Sequence, residues 1–503
     1  MDAPTIHLFL FLLGEVMNVR EIVQHPTHIS ITDYTLGECK RVERAFTYAK
    51  NKWTIASVGI VYDEDTRELR IFGGADIKYI RYITGIGYRN DYTVDPYEKI
   101  SIHLKGDPRS QLQEDMIHFL VGAGEYESNK NEPQLSCNAE TGEGKTFCAI
   151  AMMTFMNVKT IIIVNRDNIR KTWVREVLNF TDLDERRLLV LDKGTMIDAI
   201  LNGKLNASKY DVVVVVHRLI GNYGRKNGWD KIGELFRILN IGLKIYDEAH
   251  MEFTNTTYID AYTNTYKTLY LTATPRLTDP KANYIYQNAF KKIPRFDQRV
   301  LGYTDSKKHI HMLVIRYNSH PSLDWINKCF NHRLKYFSAR DHSIYQIQDD
   351  SYFFPILSEL IEKMVIKNGF RSLILVSRIV ACDEITKYIR DTYKLDAASY
   401  HSQVSQQDKK RALSEAKVIV STNASLGLSE TIPELQFVLN AEAHRNFGDQ
   451  ASGRLRRLPG NKMCIYCELV DVGFRSIVKQ WNDRKKHYQV IFSEIIELNK
   501  ENI

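Results

Sequence analysis

The chain has 503 residues, too many for one hydrophobic core, so two to four domains are expected. With 44% hydrophobic and 26% charged residues and no long low-complexity tract or repeat, it reads as a folded soluble protein, which excludes a disordered chain. The net charge of +7 permits a polyanionic partner, although much of such an excess is ordinary solvated surface.

The run IHLFLFLLGEV, Ile6 to Val16, resembles the apolar part of a signal peptide, but Asp2 precedes it without any Lys or Arg, and it is too short to span a bilayer. It reads as a buried strand, or as an extension if translation begins at Met17; secretion is the lesser reading. The following stretch alternates in type: a strand in HISIT, a helix in GECKRVERAFTYAK, a hairpin in ASVGIVYDEDTRELRIFGG, a helix in DIKYIRYITGI and a strand in DYTVD. Residues 1–105 therefore predict a small α+β domain. Its Lys40, Arg41, Arg44, Lys50, Lys52, Trp53, Lys78, Arg81 and Tyr82 are candidates to meet phosphates and bases, or are simply solvated faces.

GDPRSQ reads as a linker. Beyond it, TIIIV, DVVVVV, LKIYD and TLYLT are continuous β-branched or apolar runs separated by helical patterns, as in a parallel sheet covered on both faces. They define a lobe over 106–290. SLILVS, KVIVST and QFVLNAE repeat the style in a second lobe over 291–470, after a basic insertion near 291–360 with no clear period. The stretch FRSIVKQWNDRKKHYQVIFSEIIELNK has helical spacing, so a helical tail is expected over 471–503. The seven cysteines are scattered and fit reduced thiols in a cytosol-like compartment. Cys464 and Cys467 form a lone CxxC inside MCIYCELV, where a buried strand is the better reading than zinc or redox work.

The chemistry begins at AETGEGKT, Ala139 to Thr146, between an apolar patch around Leu135 and the helical run FCAIAMMTF. Gly142 and Gly144, with Glu143 between them, let backbone N–H groups approach a phosphate. Lys145 supplies positive charge to the β and γ phosphates, and Thr146 is a Mg²⁺ ligand. About a hundred residues on, Asp247, Glu248, Ala249 and His250 end the LKIYD strand, where a sheet aims them at the same nucleotide. Asp247 holds Mg²⁺ in this reading, and Glu248 orients and deprotonates the attacking water. A helix cap is the alternative use of such an acidic pair. TATPR follows the next strand, and its Thr272 and Thr274 are candidates to join His250 in linking nucleotide state to the nucleic-acid side. In QASGRLRR, Gln450, Gly453, Arg454 and Arg457 share one face of a helix, fit to deliver a guanidinium to a transferring phosphoryl group.

These elements, with LILVSR and STNASLGLS, stand in the order and spacing of the superfamily 2 helicase motifs over roughly 108–460. The resemblance implies an α/β fold of two RecA-like parallel-sheet lobes in tandem, flanked by the α+β domain and the helical tail. It implies ATP and Mg²⁺ as cofactors and a nucleic-acid-stimulated ATPase. Gln113, with Arg109 nearby, resembles the family's adenine-reading glutamine, and Gly427 lies in a nucleotide-facing motif. Asn165, Arg166, His217, Arg218, Ser377, Arg378 and Thr422 resemble its nucleic-acid contacts. Size, the small leading domain and the basic tail are most similar to DEAH-box phage helicases of the UvsW type. That implies a monomeric motor in the host cytoplasm acting on branched or forked DNA, by branch migration, fork regression or unwinding, beside replication or recombination proteins. An RNA-directed or transcript-release ATPase and a restriction-system motor subunit are the alternatives.

Overall fold

The computed structural model describes residues 20–500 apart from 52–53, 58, 64–65, 141, 273–279, 299, 304–308, 332–335, 427–431, 442–451, 453, 456–457 and 459–461. The early apolar run, Lys52, Trp53, Thr274, Gly427, Gln450, Gly453 and Arg457 thus lie outside the described residues. The chain divides into two compact units: one runs to Ala139 and from Gly144 to Asp297, the other is Gln298 onward with Glu140–Glu143.

The first unit opens with β1 (Glu21–Gln24), β2 (His28–Thr32), a short ribbon of β3 (Thr47–Asn51) and β4 (Thr54–Ser57), then β5 (Ile60–Asp63), β6 (Glu68–Phe72) and β7 (Gly87–Asn90). A five-stranded sheet results, in the order β5-β6-β2-β1-β7. Helices Leu36–Phe46 and Ile77–Thr84 accompany it. Thr35 closes a capping box with Glu38 at the first helix; Asp76 caps the second, which ends on left-handed Gly85. Two expectations fail here. The first helix stops at Phe46 because extended Thr47 starts the ribbon. DYTVD is not a strand: Asp95 instead exchanges hydrogen bonds with the Asn264 backbone, and the strand falls earlier, where Gly87–Asn90 pairs in parallel with β1.

The same unit continues with β8 (Gln134–Asn138), β9 (Thr160–Val164), β10 (Leu188–Leu191), β11 (Val212–Val216), β12 (Leu243–Tyr246), β13 (Lys267–Thr272) and β14 (Arg295–Asp297). All pair in parallel, in the order β10-β11-β9-β12-β13-β8-β14. The small sheet is not a separate globule. Phe72 packs its ring against Phe253, Tyr270 and Phe290 at 5.1, 5.6 and 4.8 Å, and one apolar core runs from Ile22 and Ile29 to Ile161 and Ile293. Contact is so close at Gly74 that a Cβ there would stand 2.4 Å from the Ala289 carbonyl oxygen. A polar web reinforces the seam, with Gln134 donating to the Tyr270 hydroxyl at 2.7 Å and the Thr27 hydroxyl donating to the Asp260 carbonyl at 2.9 Å.

The second unit contains β15 (Ile310–Tyr317), a ribbon of β16 (Phe330–Asn331) and β17 (Tyr336–Phe337), then β18 (Arg371–Val376), β19 (Ala397–Tyr400), β20 (Val418–Thr422), β21 (Leu435–Asn440), β22 (Cys464–Asp471) and β23 (Glu494–Lys500). Its large sheet is also parallel, in the order β19-β20-β18-β21-β22-β15-β23. The basic stretch without a clear period therefore hides a sheet strand, β15. The tail is only partly helical: Arg475–Ile491 is a helix, Phe492 turns extended, and the isoleucine-rich Glu494–Lys500 pairs with β15 as an edge strand. Cys464 and Cys467 are buried in β22 as expected, and burial pushes the Cys464 thiol up to about 11.

Candidate nucleotide site

The site residues of the first unit gather at the carboxyl ends of its parallel strands. β8 ends at Asn138 and leads into the phosphate loop; the helix Lys145–Met156 follows. Gly142 and Gly144 have φ of 95° and 89°, in the left-handed region that glycine favours. Gly144 is constrained twice, because a Cβ there would stand 2.1 Å from Nε2 of Gln113. Gln113 is buried in the first turn of helix Gln111–Val121, and its Oε1 accepts the backbone N–H of exposed Arg109 at 2.9 Å. Its carboxamide therefore packs on the phosphate loop. Glu143 and Thr146 are half-buried, and the Lys145 ammonium donates to the Ala139 carbonyl at 2.6 Å.

β12 lies two strands from β8, a lateral offset of about 10 Å, and carries the acidic box. Trp173, on helix Asp167–Phe180, donates its indole N–H to Asp247 Oδ2 at 2.8 Å. Burial and then the adjacent Glu248 push the Asp247 carboxyl up to about 6, against the opposing pull of Trp173 and Lys145. Lys145 therefore acts electrostatically on the acidic box. Glu248 has φ of 49°, strained for a residue with a Cβ, and its carbonyl accepts from Asn165 Nδ2 at 3.4 Å. His250 Nδ1 sits 2.8 Å from the Thr272 hydroxyl at the end of β13 and 3.4 Å from Glu248 Oε2. Burial pushes His250 down to about 4, with Lys145 acting in the same direction.

Electronically, the site pairs a glycine-bearing loop and one ammonium with a carboxyl that burial holds protonated to unusually high pH. A divalent cation is the natural relief for such a carboxyl, so Asp247 and Thr146 fit Mg²⁺ and Lys145 fits polyphosphate.

The remaining candidates separate. Asn165 and half-buried Arg166 follow β9, and exposed Arg218 stands near the start of helix His217–Asn227. His217 itself is fully buried and stacked on Tyr246 at 5.5 Å, so it offers nucleic acid no surface in this structure. In the second unit, half-buried Ser377 and exposed Arg378 end β18, and Thr422 ends the neighbouring β20, its hydroxyl donating to Ser425 at 2.9 Å. Arg378 faces Asp341 at 3.7 Å. Arg454 is half-buried in the second unit. Sequence reasoning missed Trp173, whose link to Asp247 exists only once helix and strand pack. His25, His28 and Glu68 also lie close enough for a metal, with donor atoms within 4.8 Å. Glu68 is nevertheless committed to Arg70 at 2.6 Å, and the imidazoles stack face to face instead of converging.

Two RecA-like parallel sheets, the first with a phosphate loop facing an acidic box, define a nucleotide-driven motor. The Type III restriction enzyme res subunit model matches residues 105–277, and the helicase conserved C-terminal domain model matches residues 354–459. The chain is a helicase of superfamily 2, an ATP-hydrolysing enzyme that acts on nucleic acid. No curated protein matches it significantly. Among solved structures it is similar to S. cerevisiae Dbp5 bound to RNA and ADP BeF3, at 13% identity over 78% of this chain and 90% of that one, with a TM-score of 0.52. Mss116p bound to ssRNA and AMP-PNP is 17% identical over 77% and 74%, with a TM-score of 0.50. T4 UvsW is 13% identical over 95% and 99%, with a TM-score of 0.37. The likenesses to Dbp5 and Mss116p describe the fold alone. Among the described residues, no helix is long and apolar enough to cross a membrane.

Proposed function

We propose that this helicase is an ATP-dependent DNA translocase that remodels branched or forked DNA by branch migration, fork regression and unwinding. The observation that carries the motor reading is the phosphate loop between β8 and helix Lys145–Met156, with the acidic box Asp247–His250 two strands away at the end of β12. The DNA reading is supported by the extra small sheet, which is welded to the first lobe by a common core and so moves with it.

In the proposed chemistry Lys145 and the loop N–H groups bind the β and γ phosphates. Thr146 and Asp247 would hold Mg²⁺, whose charge would there offset the negative charge of the phosphates. Glu248 orients water and takes its proton, and Arg454 and Arg457 stabilise charge on the transferring phosphoryl group. His250 and Thr272 pass the outcome to the nucleic-acid side through their shared hydrogen bond. Asn165, Arg166, Arg218, Ser377, Arg378 and Thr422 contact backbone phosphate, since a translocase must ignore sequence.

Turnover and unwinding over single strands, blunt duplexes, forks, four-way junctions and single-stranded RNA test the reading. Strongest stimulation by forks and junctions is expected. Preference for RNA would replace it with the RNA-directed alternative, and equal stimulation by blunt duplex and junction would remove branch specificity. Lys145→Ala must abolish turnover; retained DNA-stimulated hydrolysis refutes the site.

A further inference from the structure

The helix Ile77–Thr84 turns an unusual face to solvent. Tyr79 is 49% exposed and Tyr82 84%, and Lys78 and Arg81 stand exposed beside them. Tyr79 and Tyr82 are three positions apart, hence neighbours on one helical face. The Arg81 guanidinium lies 5.8 Å from the ring centre of Tyr88, itself 37% exposed on edge strand β7. Among the described residues neither Lys78 nor Arg81 has an anionic partner. On the adjoining helix Leu36–Phe46, Lys40, Arg41 and Arg44 are exposed, and Arg41 Nε donates to the Ile83 carbonyl at 2.6 Å, clamping the two helices together. Asp76, at the start of the helix, is spent on capping it and on Lys291 and Lys292, at 3.9 and 3.5 Å.

Single exposed aromatics are ordinary, but a run of tyrosine rings interleaved with cations that lack anions suits a ligand that is flat, apolar on its faces and polyanionic along its edge. We infer that Tyr79, Tyr82 and Tyr88, with Lys78 and Arg81, form a stacking platform for unpaired nucleotides. Duplex DNA hides its base faces and gains nothing from such rings, whereas every unpaired base can stack on them whatever its identity. The first unit would then grip the single-stranded arm of a branched substrate at a surface rigidly joined to its ATPase sheet. This inference rests on the proposed nucleic-acid function and adds the class of strand bound.

The test uses the full chain, a fluorescent oligodeoxythymidylate and a blunt duplex of equal length, with binding read by anisotropy. Tyr79→Ala/Tyr82→Ala should weaken oligodeoxythymidylate binding about 30-fold, at roughly fivefold or more per lost stack. Tyr79→Phe/Tyr82→Phe should bind as the parent does. Blunt-duplex affinity and DNA-independent ATP turnover should stay unchanged in both, and unchanged basal turnover shows that the fold is intact. Parental single-strand affinity in the alanine variant, as expected if the face instead serves a protein, overturns the inference. An equal loss on duplex also overturns it. A parent enzyme that no DNA stimulates would refute the proposed function instead, and that is measured separately.

Discussion

Lys244 and Asp260 form an ion pair at 2.5 Å with both side chains wholly buried. The carboxylate also accepts the Tyr246 and Tyr270 hydroxyls at 2.8 and 2.6 Å, and the ammonium donates to Thr263 at 2.7 Å. Burial pulls the Lys244 ammonium down from its ordinary value, and Asp260 is what holds it up. Asp260→Asn keeps the shape but leaves a charge without its counter-ion, which costs about 3 to 5 kcal/mol. Of a typical domain stability of about 5 to 15 kcal/mol that is a large share. Adding Lys244→Met removes the stranded charge and should return the loss to about 1 to 2 kcal/mol, the cost of weakened hydrogen bonds. Urea denaturation followed by intrinsic fluorescence, with the two units fitted as separate transitions, measures both variants. A single variant within about 1 kcal/mol of the parent, or a double variant no more stable than the single one, refutes the assignment of the pair as a buried structural charge. Because Tyr246 directly precedes Asp247, ATP turnover should fall with the single variant and recover in the double.

Gly144→Ala should raise the KM for ATP and lower turnover by an order of magnitude or more, and Gln113→Ala in the same chain should restore part of it by making room for the new Cβ. Asp350 is pushed up to about 6, first by burial and then by Asp471, so the folded chain holds its proton more tightly than the unfolded one. Its contribution is complete below about pH 4 and is lost as pH rises through 6; Asp350→Asn should flatten about 2 to 3 kcal/mol of that slope in melts of the second unit. Glu468 accepts from buried Arg484 at 2.8 Å and from the Tyr466 and Tyr488 hydroxyls at 2.8 and 3.2 Å. Glu468→Gln should therefore destabilise that unit by about 3 to 5 kcal/mol, and parental stability in urea would contradict the pairing.

The strands that sequence made visible are those buried on both faces. TIIIV, DVVVVV and KVIVST are built around three or more consecutive β-branched apolar residues, and such runs announce themselves without knowledge of their neighbours. β15 and β23 did not, since His311, Arg316, Glu494 and Lys500 interrupt the run and only sheet pairing explains them. The nucleotide loop was legible because its chemistry is local: glycines, lysine and threonine occupy consecutive positions. Trp173 on Asp247, Gln113 on Gly144 and the burial of His217 all depend on packing between distant segments, and no spacing rule reports that.

The pairing of β15 has a consequence for how this protein is made. Ile310 is matched to Cys464, and His311 to Glu494, so the strand that opens the second sheet emerges from the ribosome long before either partner exists. Until then IHMLVIRY is a hydrophobic segment with both backbone edges unsatisfied, the kind of segment that recruits chaperones or self-associates. The first lobe sets the same problem with β8, where Gln134 waits for Thr268 and Ser136 for Arg295, so both sheets are committed to slow assembly through distant contacts. Yield of folded protein should accordingly depend more on translation rate and chaperone supply than on the stability of either finished lobe.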